Sequence, residues 1–174
     1  TVYIGQLAAL DGLERVIAAA TADFISNPTI RRRLAEGDVR RVQIGQALDV
    51  ERLLTLQPDL ILTSISGNPA FDIPSKLKRT GLPIVLSASY MERHPLARAE
   101  WIKFIGAFVG RSETADSLFK HTEARYRALT AHIDSVETRP TILCGAPYSG
   151  IWHVPGGRSY TAQIIEDAGG HYLW

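Results

Sequence analysis

The chain has 174 residues, 45% hydrophobic and 21% charged, with a formal net charge of +1, a composition that suits a folded protein with a substantial core. So even a balance excludes any bulk electrostatic case for nucleic acid or an acidic membrane surface. No apolar run approaches the roughly 20 residues that span a bilayer, and the one cysteine, Cys144, leaves no internal disulfide framework or cysteine-rich metal site; its neighbours Ile142 and Leu143 make it a small buried hydrophobe.

The elements follow in chain order. A helix is predicted over 3–10, with Thr1 as its cap. Residues 13–20 fit either a helix or a strand by pattern alone. Asn27 and Pro28 open a short helix through Leu34, which Gly37 ends. Residues 39–44 fit a short strand ending at Gly45. Asp49 is placed to cap a helix whose apolar positions Val50, Leu53 and Leu54 fall at i, i+3 and i+4. Pro58 lacks an N–H and stops it. Leu60-Ile61-Leu62 then reads as a strand buried on both faces, as in a parallel sheet covered by helices. The polar loop 63–68 lies at the carboxyl end of that strand, where open α/β sheets bind ligands. A helix over 71–80, stopped by Gly81, leads to another buried strand over 82–86. This alternation argues for a parallel α/β sheet.

The middle of the chain changes character. Residues 95–110 read as a helix with Trp101, Ile102, Ile105, Phe108 and Val109 on its apolar face. Ser112 opens a second helix, with Glu113 and Asp116 near its amino end to suit the helix dipole. Its apolar positions Ala115, Leu118, Phe119, Thr122, Tyr126, Leu129, Ile133 and Val136 carry it to about residue 137, a length of roughly 38 Å. A coiled-coil helix is one reading of that stretch. Its place after a complete α/β half favours a rigid strut between two lobes. Residues 139–145 restart the α/β pattern, 146–157 form a turn-rich loop, and Ser159 caps a helix over 160–168 that Gly169 and Gly170 end.

Enzymatic signatures are missing. There is no Gly-x-Ser-x-Gly elbow and no Walker loop, and Pro155-Gly156-Gly157 lacks the glycine spacing of a dinucleotide site. His94, His121, His132, His153 and His171 show no zinc-ligand spacing. The acidic residues form no pair suited to acid–base work. Binding has more support. The loops expected at the carboxyl ends of strands carry Gly45-Gln46, Ser64, Ser66, Tyr90 and the stretch from Tyr148 to His153. Hydroxyls and aromatics, rather than charges, suit a large and partly apolar ligand. Helix amino termini near Tyr3 and Ser159 add N–H groups for its anionic edges. Tyr148 and Trp152, in a loop with little to bury them, are expected to touch ligand, whereas Trp101 is assigned to packing. Arg31, Arg32, Arg33, Arg40 and Arg41 read as a solvated face. With Tyr160, the ligand-contact set is Tyr3, Gln46, Ser64, Ser66, Tyr90, Tyr148, Trp152, Ser159 and Tyr160.

The helix, Pro58-Asp59 junction, strand and polar loop over 49–64 closely resemble the N-terminal lobe of metal-chelate ABC-transporter substrate-binding proteins, the cobalamin, haem and ferric-siderophore binders. Gly81-Leu82-Pro83-Ile84-Val85 resembles the next strand of that family. Ala99-Glu100-Trp101-Ile102 with Gly106 and Gly110-Arg111 resembles the helix pair leading into its strut. Trp152-His153-Val154-Pro155-Gly156-Gly157, Ser159-Tyr160 and Asp167-Ala168-Gly169-Gly170 resemble the opening of its second lobe.

The resemblance implies an α/β fold: a Rossmann-like parallel-sheet lobe (1–94), a helix pair including a long inter-lobe strut (95–138), and the beginning of a second α/β lobe (139–174). The chain is accordingly expected to be a piece of a longer protein. The implied function is a non-enzymatic, extracytoplasmic binding component of an ABC importer for an iron chelate, corrinoid or similar ligand. That ligand would be captured between two lobes by a monomeric full-length protein in the periplasm or anchored outside the membrane. No cofactor beyond the cargo is implied. Glu51 matches the family's glutamate that docks to arginines of the membrane permease. Gln46 stands where haem-binding members often carry an iron-ligating tyrosine, which weakens the haem reading and leaves His153 or Tyr148 as substitute ligands. An enzyme, a cofactor-handling protein or a sensor on the same scaffold is the alternative.

Overall fold

Side-chain caps set where several helices begin. In the computed structural model, which describes residues 2–44, 47–64, 75–133 and 138–174, Asn27 Oδ1 accepts a hydrogen bond from the Ile30 N–H at 3.1 Å. Asp49 Oδ1 does the same for Arg52 at 3.0 Å, and Ser159 Oγ for Ala162 at 3.2 Å. Each satisfies a first-turn donor that the helix itself leaves unpaired. The chain divides into two units, Thr1–Ala88 and Ser89–Trp174.

In the first unit α1 (Val2–Ala9) leads through a 3-10 turn (Leu13–Arg15) to β1 (Ala18–Ala19). The ambiguous stretch 13–20 is therefore split between a 3-10 turn and a short strand that begins at Ala18. α2 (Pro28–Glu36) ends at Gly37, whose φ of 83° is the left-handed conformation that closes helices. β2 (Arg40–Arg41) pairs in parallel with β1, and β3 (Gln43–Ile44) pairs antiparallel with β4 (Ala47–Leu48). The single strand expected over 39–44 is thus two short ones with different partners. α3 (Val50–Leu56) buries Val50 and Leu53, whereas Leu54 is 42% exposed. The helix ends on Gln57 in the left-handed conformation, immediately before Pro58. β5 (Ile61–Ser64), α4 (Ser75–Lys78) and β6 (Ile84–Ser87) complete the unit, and β5 and β6 run parallel from Ile61↔Ile84 to Ser64↔Ser87. β5 is half-buried rather than buried on both faces, because among the described residues β6 is its only strand neighbour. Thr63 and Ser64, expected to open the polar loop, belong to β5; the rest of that loop (65–68) and the first residues (71–74) of the helix expected over 71–80 lie outside the described residues.

Two apolar clusters hold this unit. Val16, Ile25, Ile30 and Val39 form one; Val42, Val50, Leu53 and Leu77 form the other. The second packs α3 and α4 against the strand pair that carries Ser64, so the same burial that stabilises the lobe positions the strand's carboxyl end.

The second unit opens with a 3-10 turn (Ser89–Met91), then α5 (Pro95–Phe108) and α6 (Ser112–Thr130). The two helices approach closely. A Cβ on Gly106 would lie 2.6 Å from Ala115 Cβ, and Ala115 is fully buried. Gly110, at φ 65°, takes the left-handed step between them. α6 has 19 residues, about 28 Å, and residues 131 and 132 are in a turn. The helix expected to run to 137 is therefore shorter; residues 134–137 lie outside the described set. Only Ala115 and Phe119 of α6 are buried and Leu129 is 68% exposed, so the carboxyl half carries less of the packing that sustains a helix.

β7 (Thr141–Ile142), β8 (Ala146–Tyr148), β9 (Ile151–His153), α7 (Tyr160–Asp167) and β10 (His171–Tyr172) complete the chain. β7 and β10 pair in parallel. β8 and β9 form an antiparallel hairpin turned by Ser149 (φ 50°) and Gly150 (φ 77°). The turn-rich loop expected over 146–157 is thus a β-hairpin for part of its length. Positive φ at both central residues is the twist that two-residue hairpin turns require.

Candidate functional site

In the first unit, Tyr3 is half-buried on α1 and Ser64 is exposed at the end of β5. Gln46 and Ser66 lie outside the described residues. Glu51 is in the first turn of α3, 82% exposed in its side chain, and Oε1 meets Lys76 Nζ of α4 at 3.1 Å. The basic face is only partly free in solvent. Arg33 Nη1 donates to the Leu13 carbonyl at 2.6 Å, and Arg41 Nη1 lies 2.5 Å from Asp23 Oδ1.

In the second unit, Tyr90 and Tyr160 are linked by Arg98, a residue that the sequence does not single out. Arg98 Nη2 donates to the Tyr90 carbonyl at 2.8 Å and to the Glu92 carbonyl at 3.3 Å. Its guanidinium lies 3.8 Å from the centre of the Tyr160 ring, within range of a cation–π attraction. Glu92 Oε1 in turn accepts from Trp101 Nε1 at 3.1 Å. The turn after β6, the first half of α5 and the start of α7 are thereby held by one side chain. A lone arginine in a helix carries no sequence signal of such a role. Ser159, the neighbour of Tyr160, spends its acceptor on the α7 cap.

The hairpin separates two residues expected to act together. Tyr148 pairs with Ile151, and Trp152 with Pro147; alternation puts Tyr148 and His153 on one face and Trp152 on the other. The Tyr148 and His153 rings are 6.3 Å apart between centres. Trp152 instead borders an apolar depression of about 330 Å³ with Leu143, Val154 and Trp174. Tyr148 is 73% and Trp152 51% exposed, so both present aromatic surface, in different directions.

Charge is concentrated away from these aromatics. On α6, Asp116 meets Lys120 at 2.6 Å and Lys103 of α5 at 3.1 Å. The bonds from Lys120 and then Lys103 hold the Asp116 carboxyl below the usual carboxylate range, and the Asp116 bond raises Lys103. Burial, then the hydrogen bond to Asp167, pushes the Tyr126 phenol up. Burial and the Cys144 thiol raise Tyr172, whose hydroxyl donates to the Pro155 carbonyl at 2.6 Å. Cys144 is half-buried. Among the described residues no three His, Cys, Asp or Glu side chains group as a metal site, and no helix is long and apolar enough to cross a membrane.

Residues 2–173 match the family described as Periplasmic binding protein, and the chain belongs to that family. It is 27% identical over 148 residues to an uncharacterised lipoprotein of Methanocaldococcus jannaschii, covering 83% of this chain and 35% of the relative. A vitamin B12-binding protein of Vibrio parahaemolyticus is 40% identical over 53 residues, 30% of this chain and 19% of that protein. An ABC transporter substrate-binding protein of Listeria monocytogenes EGD-e shares the fold with a TM-score of 0.72 at 21% identity, over 100% of this chain and 62% of that structure. The chain thus spans less than half of these curated relatives and about three fifths of the solved structure. The α/β fold and the family expected from the 49–64 stretch both stand.

Proposed function

We propose that the protein containing this chain is the substrate-binding component of an ABC importer, taking up an iron chelate, a corrinoid or a related macrocycle. The observation that carries this reading is the family match over residues 2–173. The short match to a relative named for vitamin B12 binding supports the corrinoid member of the ligand class, and the lipoprotein relative supports a location outside the cytoplasmic membrane. In this reading the full-length protein captures its ligand between two α/β lobes, Tyr90, Trp152 and Tyr160 contribute aromatic contacts, and no covalent chemistry is needed. Glu51 docks to arginines of the permease.

The test is a tryptophan-fluorescence titration of the full-length protein with cyanocobalamin, haemin and a set of ferric siderophores, repeated with Trp152→Phe. Saturable quenching by one ligand, reduced in the variant, is the expected result. Failure of every ligand to quench would overturn the chelate assignment.

A further inference from the structure

We propose that Arg98 is a positioning residue for the ligand-contacting tyrosines, clamping the Tyr90 turn and the Tyr160 ring into one geometry; this rests on the binding reading above. Three observations converge on it. Two carbonyls of one turn, those of Tyr90 and Glu92, accept from the same Nη2. The guanidinium carbon lies 3.8 Å over the centre of the ring of Tyr160, the first residue of α7. Its Nε is buried and has no hydrogen-bond partner among the described residues, so the side chain is held by the turn and the ring rather than by a carboxylate.

The chemistry explains why arginine suits this position. A planar fork reaches carbonyls with its edge while its face stacks on an aromatic ring. Lysine keeps the charge but offers neither the fork nor the flat face. Tyr90 is 45% exposed, and Tyr160 is half-buried, so the clamp leaves part of each ring available to a ligand. Ordering the Tyr90 turn and the Tyr160 ring before binding removes part of the entropy cost of capture. Arg98 therefore acts on affinity through the tyrosines, without itself touching the ligand.

The test uses the full-length protein with haemin and cyanocobalamin as probes, and the variants Arg98→Lys, Arg98→Ala, Tyr160→Leu and Arg98→Lys with Tyr160→Leu. Arg98→Lys is expected to melt near the parent's temperature and to bind the effective probe roughly two- to thirtyfold more weakly, the range of a cation–π contact. In the Tyr160→Leu background the lysine substitution is expected to cost much less, because the two residues act together. Unchanged affinity in both Arg98 variants, with the parent binding, overturns the proposal. If the parent binds neither probe, the clamp is judged by amide hydrogen exchange instead. Faster exchange over 89–92 in Arg98→Ala supports it; unchanged exchange there overturns it.

Discussion

The Tyr126 hydroxyl on α6 donates a hydrogen bond to Asp167 Oδ2 at the end of α7, while Gln163 Nε2 donates to the other carboxylate oxygen at 2.9 Å. The carboxylate is thus shared by two helices far apart in sequence. Tyr126→Phe keeps the ring and removes the bond. It is expected to destabilise the protein by about 1–2 kcal/mol, the worth of a partly buried bond to a charged acceptor, read by urea denaturation.

The same contact gives an alkaline signature. The folded state favours the neutral Tyr126 phenol, so its pKa lies above the unfolded value. That contribution is whole below about pH 10, the ordinary tyrosine value, and is lost as pH rises through the folded pKa. The stability gap between the parent and Tyr126→Phe should therefore hold from neutral pH to about 10 and narrow above it.

Gly106 is required by the approach of α6 to α5. An added methyl would meet Ala115 Cβ at 2.6 Å and the Arg111 carbonyl at 3.1 Å. Gly106→Ala is expected to cost about 1–3 kcal/mol by overpacking, outweighing alanine's better helix propensity of about 1 kcal/mol. Adding Ala115→Gly to it should make the pair less damaging than the sum of the two single changes. Additive losses in a denaturation cycle would show that the methyl contact is not the cause.

Asp116 bridges Lys103 and Lys120 on the exposed side of the same helix pair. Because its folded pKa is depressed, its contribution is present above about pH 4 and is lost as pH falls through the folded value. Asp116→Asn should lower the melting temperature slightly at neutral pH. The difference from the parent should vanish in acid and shrink in about 1 M salt, where exposed pairs are screened.

Glu51 tests the transport reading separately from ligand binding. Its exposed pair with Lys76 is worth about 0–1 kcal/mol, so Glu51→Ala should leave melting and ligand affinity unchanged. Uptake in cells carrying the importer should fall, and a glutamate introduced at the permease arginines should restore it to Glu51→Lys. Weaker ligand binding by Glu51→Ala would count against a docking role.

Local chemistry made much of this fold legible. Asn27, Asp49 and Ser159 cap their helices where a short acceptor precedes an apolar-periodic stretch. Gly37 ends α2 because only a residue tolerant of positive φ does so cheaply. The β5–β6 pair follows from two apolar runs separated by a helix signal. The hairpin at 146–153 was hidden because Gly, Pro and Ser also mark irregular loops, although Ser149-Gly150 is a turn dipeptide.

What the sequence determined by itself is the order of the main helices, the parallel β5–β6 pair, the caps Asn27, Asp49 and Ser159, and the family signature over 49–64. Those depend on hydrogen bonds and periodicity within a few residues. The tertiary structure alone decided that α6 stops being buried after Phe119, that Tyr148 and Trp152 face apart, and that Arg98 joins Tyr90 to Tyr160. The burial along α6 and the Arg98 link depend on which distant surfaces meet, and no local pattern encodes a partner sixty residues away; the facing of Tyr148 and Trp152 follows from the pairing of β8 with β9.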